Sequence, residues 1–320
     1  MSWLQTLVHS IQESKGLAHK KDIAIAMDEL ASAQPCDSSC RVGDDCAVLK
    51  SADGSFLLFA IEGFMNEFVQ EDPWFAGYCG VMVNVSDIAA MGGRPTAVVD
   101  AVWTADSVQL EKILQGMAAA SARYKVPIVG GHTNARNKHA QLAVSIIGSA
   151  NAVLSSFEAR PGDVLMSAID LRGQYQGPGN NWNASTEAPA ERLRADLELL
   201  PQVAELGLSV ACKDISMAGA LGTTLMMLEC SGCGAEIWPA AFPRPPGVPV
   251  ERWMQTFPSF GFVFSVAPNR VEQMKQLFAS RDLLCHEVGK VIEGSRVWLN
   301  HEVERELLWD FSETPLLGCS

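Results

Sequence analysis

The chain has 320 residues, 48% of them hydrophobic and 19% charged, which is the composition of a packed globular protein long enough for two ordinary domains. A formal charge of -13 argues against nucleic acid as a partner, because such binding depends on cations meeting phosphate, but a nucleotide carried with magnesium stays compatible. No run of 18 or more apolar residues offers a membrane span, and the N-terminus lacks the basic start and small-residue cleavage site of a secretory signal.

In chain order, helical spacing is predicted over residues 4 to 14 and 21 to 33. The stretch "QPCDSSCRVGDD" is turn-rich, and "CAVLK" and "SFLLFAIEG" are strands around the turn at Ala52-Asp53-Gly54. Pro73 opens a helix that runs to Met91 and stops at Gly92-Gly93 and Pro95. A strand "TAVVDAVW", an amphipathic helix "SVQLEKILQGMAAASARY", a strand "PIVGGHTN" running into a glycine turn, and a strand "AQLAVSIIGSA" follow. The first half therefore reads ββαβαββ, an α+β sandwich with helices on one side. Pro161-Gly162-Asp163 marks a boundary, so the expected domains are 1–150 and 151–320. In the second half, helices are expected near 189 to 206 and 216 to 231, and strands near 260 to 266 and 286 to 292. The polar segment 172 to 187 is either a surface loop or a lid carrying Arg172, Tyr175, Trp182 and Asn183.

Nine scattered cysteines, Cys36 and Cys40 among them, suggest reduced cytosolic thiols rather than a disulfide framework. Cys230 and Cys233 form a CxxC without a second pair, and read as ordinary thiols at a helix end.

Three isolated acidic positions carry the chemistry. In "RVGDDCAVLK", Asp44 and Asp45 repel each other, which suits a solvated turn or a bound cation. In "NVSDIAAMGGRP", Asp87 sits among small apolar residues, where an ionised carboxylate needs a cation, unless it takes the wet face or pairs with Arg94. In "KDISMAG", Asp214 or Ser216 either caps a helix or, with the backbone N–H groups of that helix start, faces a phosphate–metal unit. In "VGGHTN", Gly130 and Gly131 admit close backbone approach to phosphate, followed by His132 and Thr133; neither a P-loop nor a GxGxxG signature is present. Hard oxygen donors spread along the chain suit magnesium held jointly with substrate phosphates.

"GDDCAVL", "VNVSDIAAMGGRP", "VGGHTN", "RPGDVLMS", "KDISMAG" and "GKVIEG", in this order, resemble the successive motifs of the AIR synthase superfamily, which contains thiamine-monophosphate kinase, aminoimidazole ribonucleotide synthetase, selenophosphate synthetase and a hydrogenase maturation factor. The resemblance, from about residue 40 to 295, implies an α+β protein of two AIR synthase-like domains and a homodimer whose N-terminal sheets join in a barrel. It implies ATP and Mg2+ in a cleft. Asp44, Asp87 and Asp214 match metal-binding acids, Glu62 stands where relatives have Asp, and Ser216, Gly130, Gly131 and Thr133 match nucleotide contacts. His132 replaces the acid of the kinase pattern, Met217 replaces the second acid of DISDG, and Ser156 stands where the kinase has an ATP-contacting Arg. The expectation is a cytoplasmic, magnesium- and ATP-dependent kinase or synthetase of a divergent branch acting on a small molecule, with His132 as acid or base. The alternative is a scaffolding homologue that keeps the nucleotide and has lost the reaction.

Overall fold

A computed structural model describes residues 2–30, 33 and 41–319. Residues 34–40 of the turn-rich stretch, with Cys36 and Cys40, and residues 31 and 32 of the helix expected to residue 33 lie outside the described residues. The chain forms two compact units: residues 1–45, 154–185 and 203–320 make the first, and 46–153 with 186–202 make the second. The expected boundary at 150 falls close to one crossing, but the first 45 residues join the C-terminal half, and a short segment of the latter joins the second unit.

The second unit contains β1 (Ala47–Lys50), β2 (Phe56–Gly63), α3 (Asn66–Glu71), α4 (Pro73–Ala90), β3 (Arg94–Trp103), α5 (Ser107–Tyr124), β4 (Ile128–Asn134) and β5 (Gln141–Ala150), completed by α6 (Ala190–Leu197). Its sheet has the order β1-β2-β5-β3-β4, antiparallel except for the β3–β4 pair. Strict alternation in β2 and β5 gives each strand one buried and one exposed side. The buried side, with Leu58, Val98, Val144 and Ile146, joins one core with α4 and α5. Asp72 caps α4 through the Phe75 amide, with Pro73 in the first turn, and Asp106 caps α5 through the Gln109 amide. The two helices touch backbone to backbone: a Cβ on Gly77 would lie 2.0 Å from the Ile113 carbonyl oxygen, and one on Gly116 1.9 Å from that of Trp74.

In the first unit, α1 (Trp3–Gln12) and α2 (Lys15–Leu30) pack with a seven-stranded mixed sheet. Its strands are β6 (Val164–Ile169), β9 (Ala211–Asp214), β10 (Gly234–Ile237), β12 (Gly261–Val266), β13 (Leu284–Ile292), β14 (Arg296–His301) and β15 (Glu304–Asp310), in the order β15-β14-β10-β13-β6-β12-β9. Helices α7 (Leu199–Glu205) and α8 (Gly219–Cys230) follow α6 in the chain, and α8 is buried along its whole length. Residues 172 to 187 are neither a free loop nor a lid. β7 (Gln174–Tyr175) and β8 (Asn181–Asn183) pair with each other and with β11 (Phe257–Pro258). Trp182 anchors this ribbon in the core, edge-on to Trp253, and donates its indole N–H to the Asp170 carbonyl at 3.0 Å.

Candidate functional site

In the first unit the acidic residues gather where β9 leaves the sheet. β9 pairs only with β12 among the described strands, so its end is open to the Asp44–Asp45 loop. The loop begins at Gly43, whose φ of +118 excludes a side chain for strain alone. Asp44 accepts hydrogen bonds from the Ser155 hydroxyl (2.6 Å), the Ser156 hydroxyl (2.6 Å) and the Ser156 amide (3.0 Å). Ser156, in the place of a nucleotide-binding arginine, is therefore fully buried and spent on fixing the acidic loop.

Asp45 forms an ion pair with Lys213 of β9, both side chains being almost wholly buried. It also accepts the Asp214 amide at 3.4 Å. Burial alone would strip the Lys213 proton, but Asp45 and Asp44 beside it outweigh that cost and hold the ammonium above the usual lysine range. The sequence offers Asp45 for a solvated turn or a bound cation beside Asp44, not for an ion pair, and Lys213 was not singled out; 168 residues separate the two.

Asp214 is buried at the end of β9, and α8 starts only at Gly219, three residues later than expected. Neither Asp214 nor Ser216 is its N-cap: Ala218 holds that position and no side chain caps the helix. The Ser216 amide instead donates to the Thr223 hydroxyl at 3.2 Å, and the Ser216 hydroxyl oxygen is shielded from solvent with no hydrogen-bond partner. Met217, where the kinase pattern has an acid, is exposed.

At the far end of α8, Cys230 touches the Gly43 carbonyl and hydrogen-bonds Cys319. That bond holds the Cys319 thiol below the ordinary cysteine range. Cys233 turns away, toward the Ala159 carbonyl at 3.5 Å, so the CxxC is two thiols with separate partners. Trp309 and Phe311 belong to the core, and Trp298 carries the Arg305 guanidinium over its ring.

In the second unit, Asp87 lies on α4 and is 4% exposed, not on a wet face, while Arg94 pairs with Glu198, Nε lying 3.1 Å from each carboxylate oxygen. Gly130, Gly131, His132 and Thr133 do not form a turn; they are inside β4. Strand register places Glu62, Val144, Asp100 and Gly131 in one row across the sheet, on the face toward the helices. Gly131 makes room for an acid: a Cβ there would lie 2.5 Å from an Asp100 carboxylate oxygen. Partial burial raises the Asp100 carboxyl above its usual range, and its other oxygen has no hydrogen-bond partner. Sequence reading passed over Asp100 because it sits mid-strand in an apolar run. His132 falls in the next row, on the opposite face, with its ring 5.5 Å from that of Trp103.

The two α+β units thus carry carboxylates at a strand end in the first, beside a buried helix without a side-chain cap, and along a sheet row in the second. Residues 43–150 match the AIR synthase related protein N-terminal domain and residues 161–301 its C-terminal domain, and the chain belongs to this AIR synthase-related family. An uncharacterized protein of Synechocystis sp. is 42% identical over 320 residues, covering 98% of both chains. Among solved structures, Thermotoga maritima PurL complexed with ATP superposes with a TM-score of 0.76 at 18% identity over 99% of this chain. This chain spans about half of that PurL, 52% of its length. AaThiL complexed with AMPPCP and TMP gives a TM-score of 0.65 at 19% identity, covering 89% of this chain and 94% of that one. At such identities the likeness is one of fold.

Proposed function

We propose that this protein is a magnesium- and ATP-dependent enzyme that transfers a phosphoryl group to a small molecule, or uses it to activate one. The observation that carries the reading is the start of α8, where a buried carboxylate, Asp214, precedes a helix with no side-chain cap, and the Ser216 hydroxyl beside it lacks a partner. A helix start presents backbone N–H groups and the positive end of its dipole, which suits phosphate oxygens. ATP in the solved PurL structure and AMPPCP in that of ThiL support the choice of nucleotide.

The residues fit the group. Carboxylate and hydroxyl oxygens are the donors magnesium prefers. In the first unit the proposed ligands are Asp214 with Asp44; in the second, taken by itself, they are Asp87 with Glu62, and Asp100 is a further carboxylate there. Ser155 and Ser156 orient Asp44, and Ser216 donates to a phosphate oxygen. Bound Mg2+ supplies charge neutralisation for in-line phosphoryl transfer, a reaction that asks for positioning more than covalent chemistry. Gly131 serves the site by leaving space for Asp100, and Thr133, on the same face of β4, is assigned to the nucleotide, whereas Gly130, in the row of Val99, falls on the outer face. The test is 31P NMR of ATP with the purified protein and Mg2+ across candidate acceptors. Acceptor-dependent ADP and phosphoryl product support the enzyme; tight binding without product under every acceptor supports the scaffolding alternative, which Met217 and Ser156 favour.

The same reading extends to a homodimer. The outer face of the second unit's sheet exposes Leu57, Phe59, Ile61, Val99 and Ile147, an apolar surface that a second copy would cover. His132 lies on this face, so its proposed acid–base role belongs to the assembled dimer.

A further inference from the structure

The C-terminal tail is tied down by one buried acid. Glu229, 1% exposed on α8, accepts the amides of Leu316 (2.7 Å), Leu317 (2.6 Å) and Gly318 (3.4 Å). Three backbone donors on one carboxylate satisfy a charge that would otherwise be costly to bury. They also fix where the next residue falls. Leu316 and Leu317 sit in the core, and Cys319 comes to rest beside Cys230, one residue beyond Glu229. Both sulfurs crowd Gly43: a Cβ on that glycine would lie 2.6 Å from the Cys319 sulfur and 3.8 Å from that of Cys230. Both are free thiols. A glutamate clamp thus brings two cysteines distant in sequence into contact, under the loop that carries Asp44 and Asp45.

We propose that Cys230 and Cys319 are a disulfide-forming site, oxidised by a hydroperoxide and fastening the C-terminal tail beneath the Gly43–Asp45 loop. Cys319 is the more exposed of the two and the one whose thiolate is favoured by its partner's hydrogen bond. Its sulfur attacks a peroxide oxygen, the O–O bond breaks, and a sulfenic acid forms as water or an alcohol departs. The Cys230 sulfur then attacks the Cys319 sulfur, losing its proton, and the sulfenic oxygen leaves as water. In sum, two thiols and one hydroperoxide give one disulfide, one water and one alcohol, or two waters from hydrogen peroxide. The bond stands independently of the phosphoryl-transfer reading, since nothing in its formation involves nucleotide.

The experiment is peptide mapping of the full-length protein after hydrogen peroxide, with remaining thiols alkylated before digestion and reductant withheld. The expected product is a linked pair of peptides containing Cys230 and Cys319, absent in Cys319→Ser and restored to free thiols by dithiothreitol. Carboxypeptidase should trim the tail of the reduced protein and spare that of the oxidised one. Because Cys230→Ser alters a buried position, Cys319→Ser is the deciding control, and Glu229→Gln is the second variant, expected to lower the yield of linked peptide at least threefold. Sulfinic or sulfonic acid at Cys319 with Cys230 still a thiol, or Cys230 linked to any other cysteine, would overturn the proposal.

Discussion

Lys213 and Asp45 shelter each other from solvent, so neither can be removed without stranding the other charge. Lys213→Met should cost about 3–5 kcal/mol, the usual penalty for leaving one member of a buried pair, and Lys213→Met with Asp45→Asn should recover most of it. Urea denaturation of both variants and of Asp45→Asn checks this; a double-variant loss equal to the sum of the two single losses would mean that the pair is not coupled. Asp100 is the opposite case, an acid whose burial disfavours its charge. A folded-state pKa raised above the unfolded one gives stability that is present at low pH and lost as pH rises through the folded value. Asp100→Asn, which removes that penalty, should therefore melt higher than the wild type at pH 7.5. The gap should close as the pH falls toward 4, and a gap that does not change with pH would refute the burial account. Asp87→Asn is expected to fold normally and to weaken magnesium–ATP binding at least tenfold, or about 1.4 kcal/mol.

At the scale of elements, the ribbon of β7, β8 and β11 hangs on Trp182. Trp182→Ala should destabilise the protein by about 3–5 kcal/mol, as loss of a large buried aromatic usually does, measured as a lowered urea midpoint at unchanged slope. A loss below about 1 kcal/mol would return the segment to the class of surface loops. This ribbon was hidden in the sequence because two- and three-residue strands carry no period, and Gly and Asn there read as a loop. The longer elements were legible for the opposite reason. The helix at Pro73–Ala90 announces itself by its capping residues and its glycine stop, and β2 and β5 by alternation. β9 escaped notice because four residues buried on both faces leave nothing to alternate. Gly130-Gly131 was mistaken for a turn because the demand for a small residue comes from Asp100, a neighbour in register and not in sequence. The acids Asp44, Asp87 and Asp214 were visible as charges in apolar settings. What each one touches was not, since Ser155, Ser156 and Lys213 reach the Asp44–Asp45 loop from more than 100 residues away.

For the whole molecule, the apolar sheet face and the proposed nucleotide site make separate predictions. Phe59→Lys with Ile61→Glu should leave each chain folded and shift the protein from dimer to monomer in sedimentation velocity, since two charges cannot be buried in an apolar contact at small cost. A wild type already monomeric at high concentration would remove the dimer. The family relationship constrains the fold of both units, while the reaction turns on whether the carboxylates meet a nucleotide. The most direct measurement of that is calorimetric titration of ATP into the protein with and without Mg2+, repeated with Asp214→Asn. The account predicts binding that requires Mg2+ and falls at least tenfold in the variant. No heat of binding in either condition, or affinity unchanged by Mg2+ and by the loss of the Asp214 charge, would contradict it.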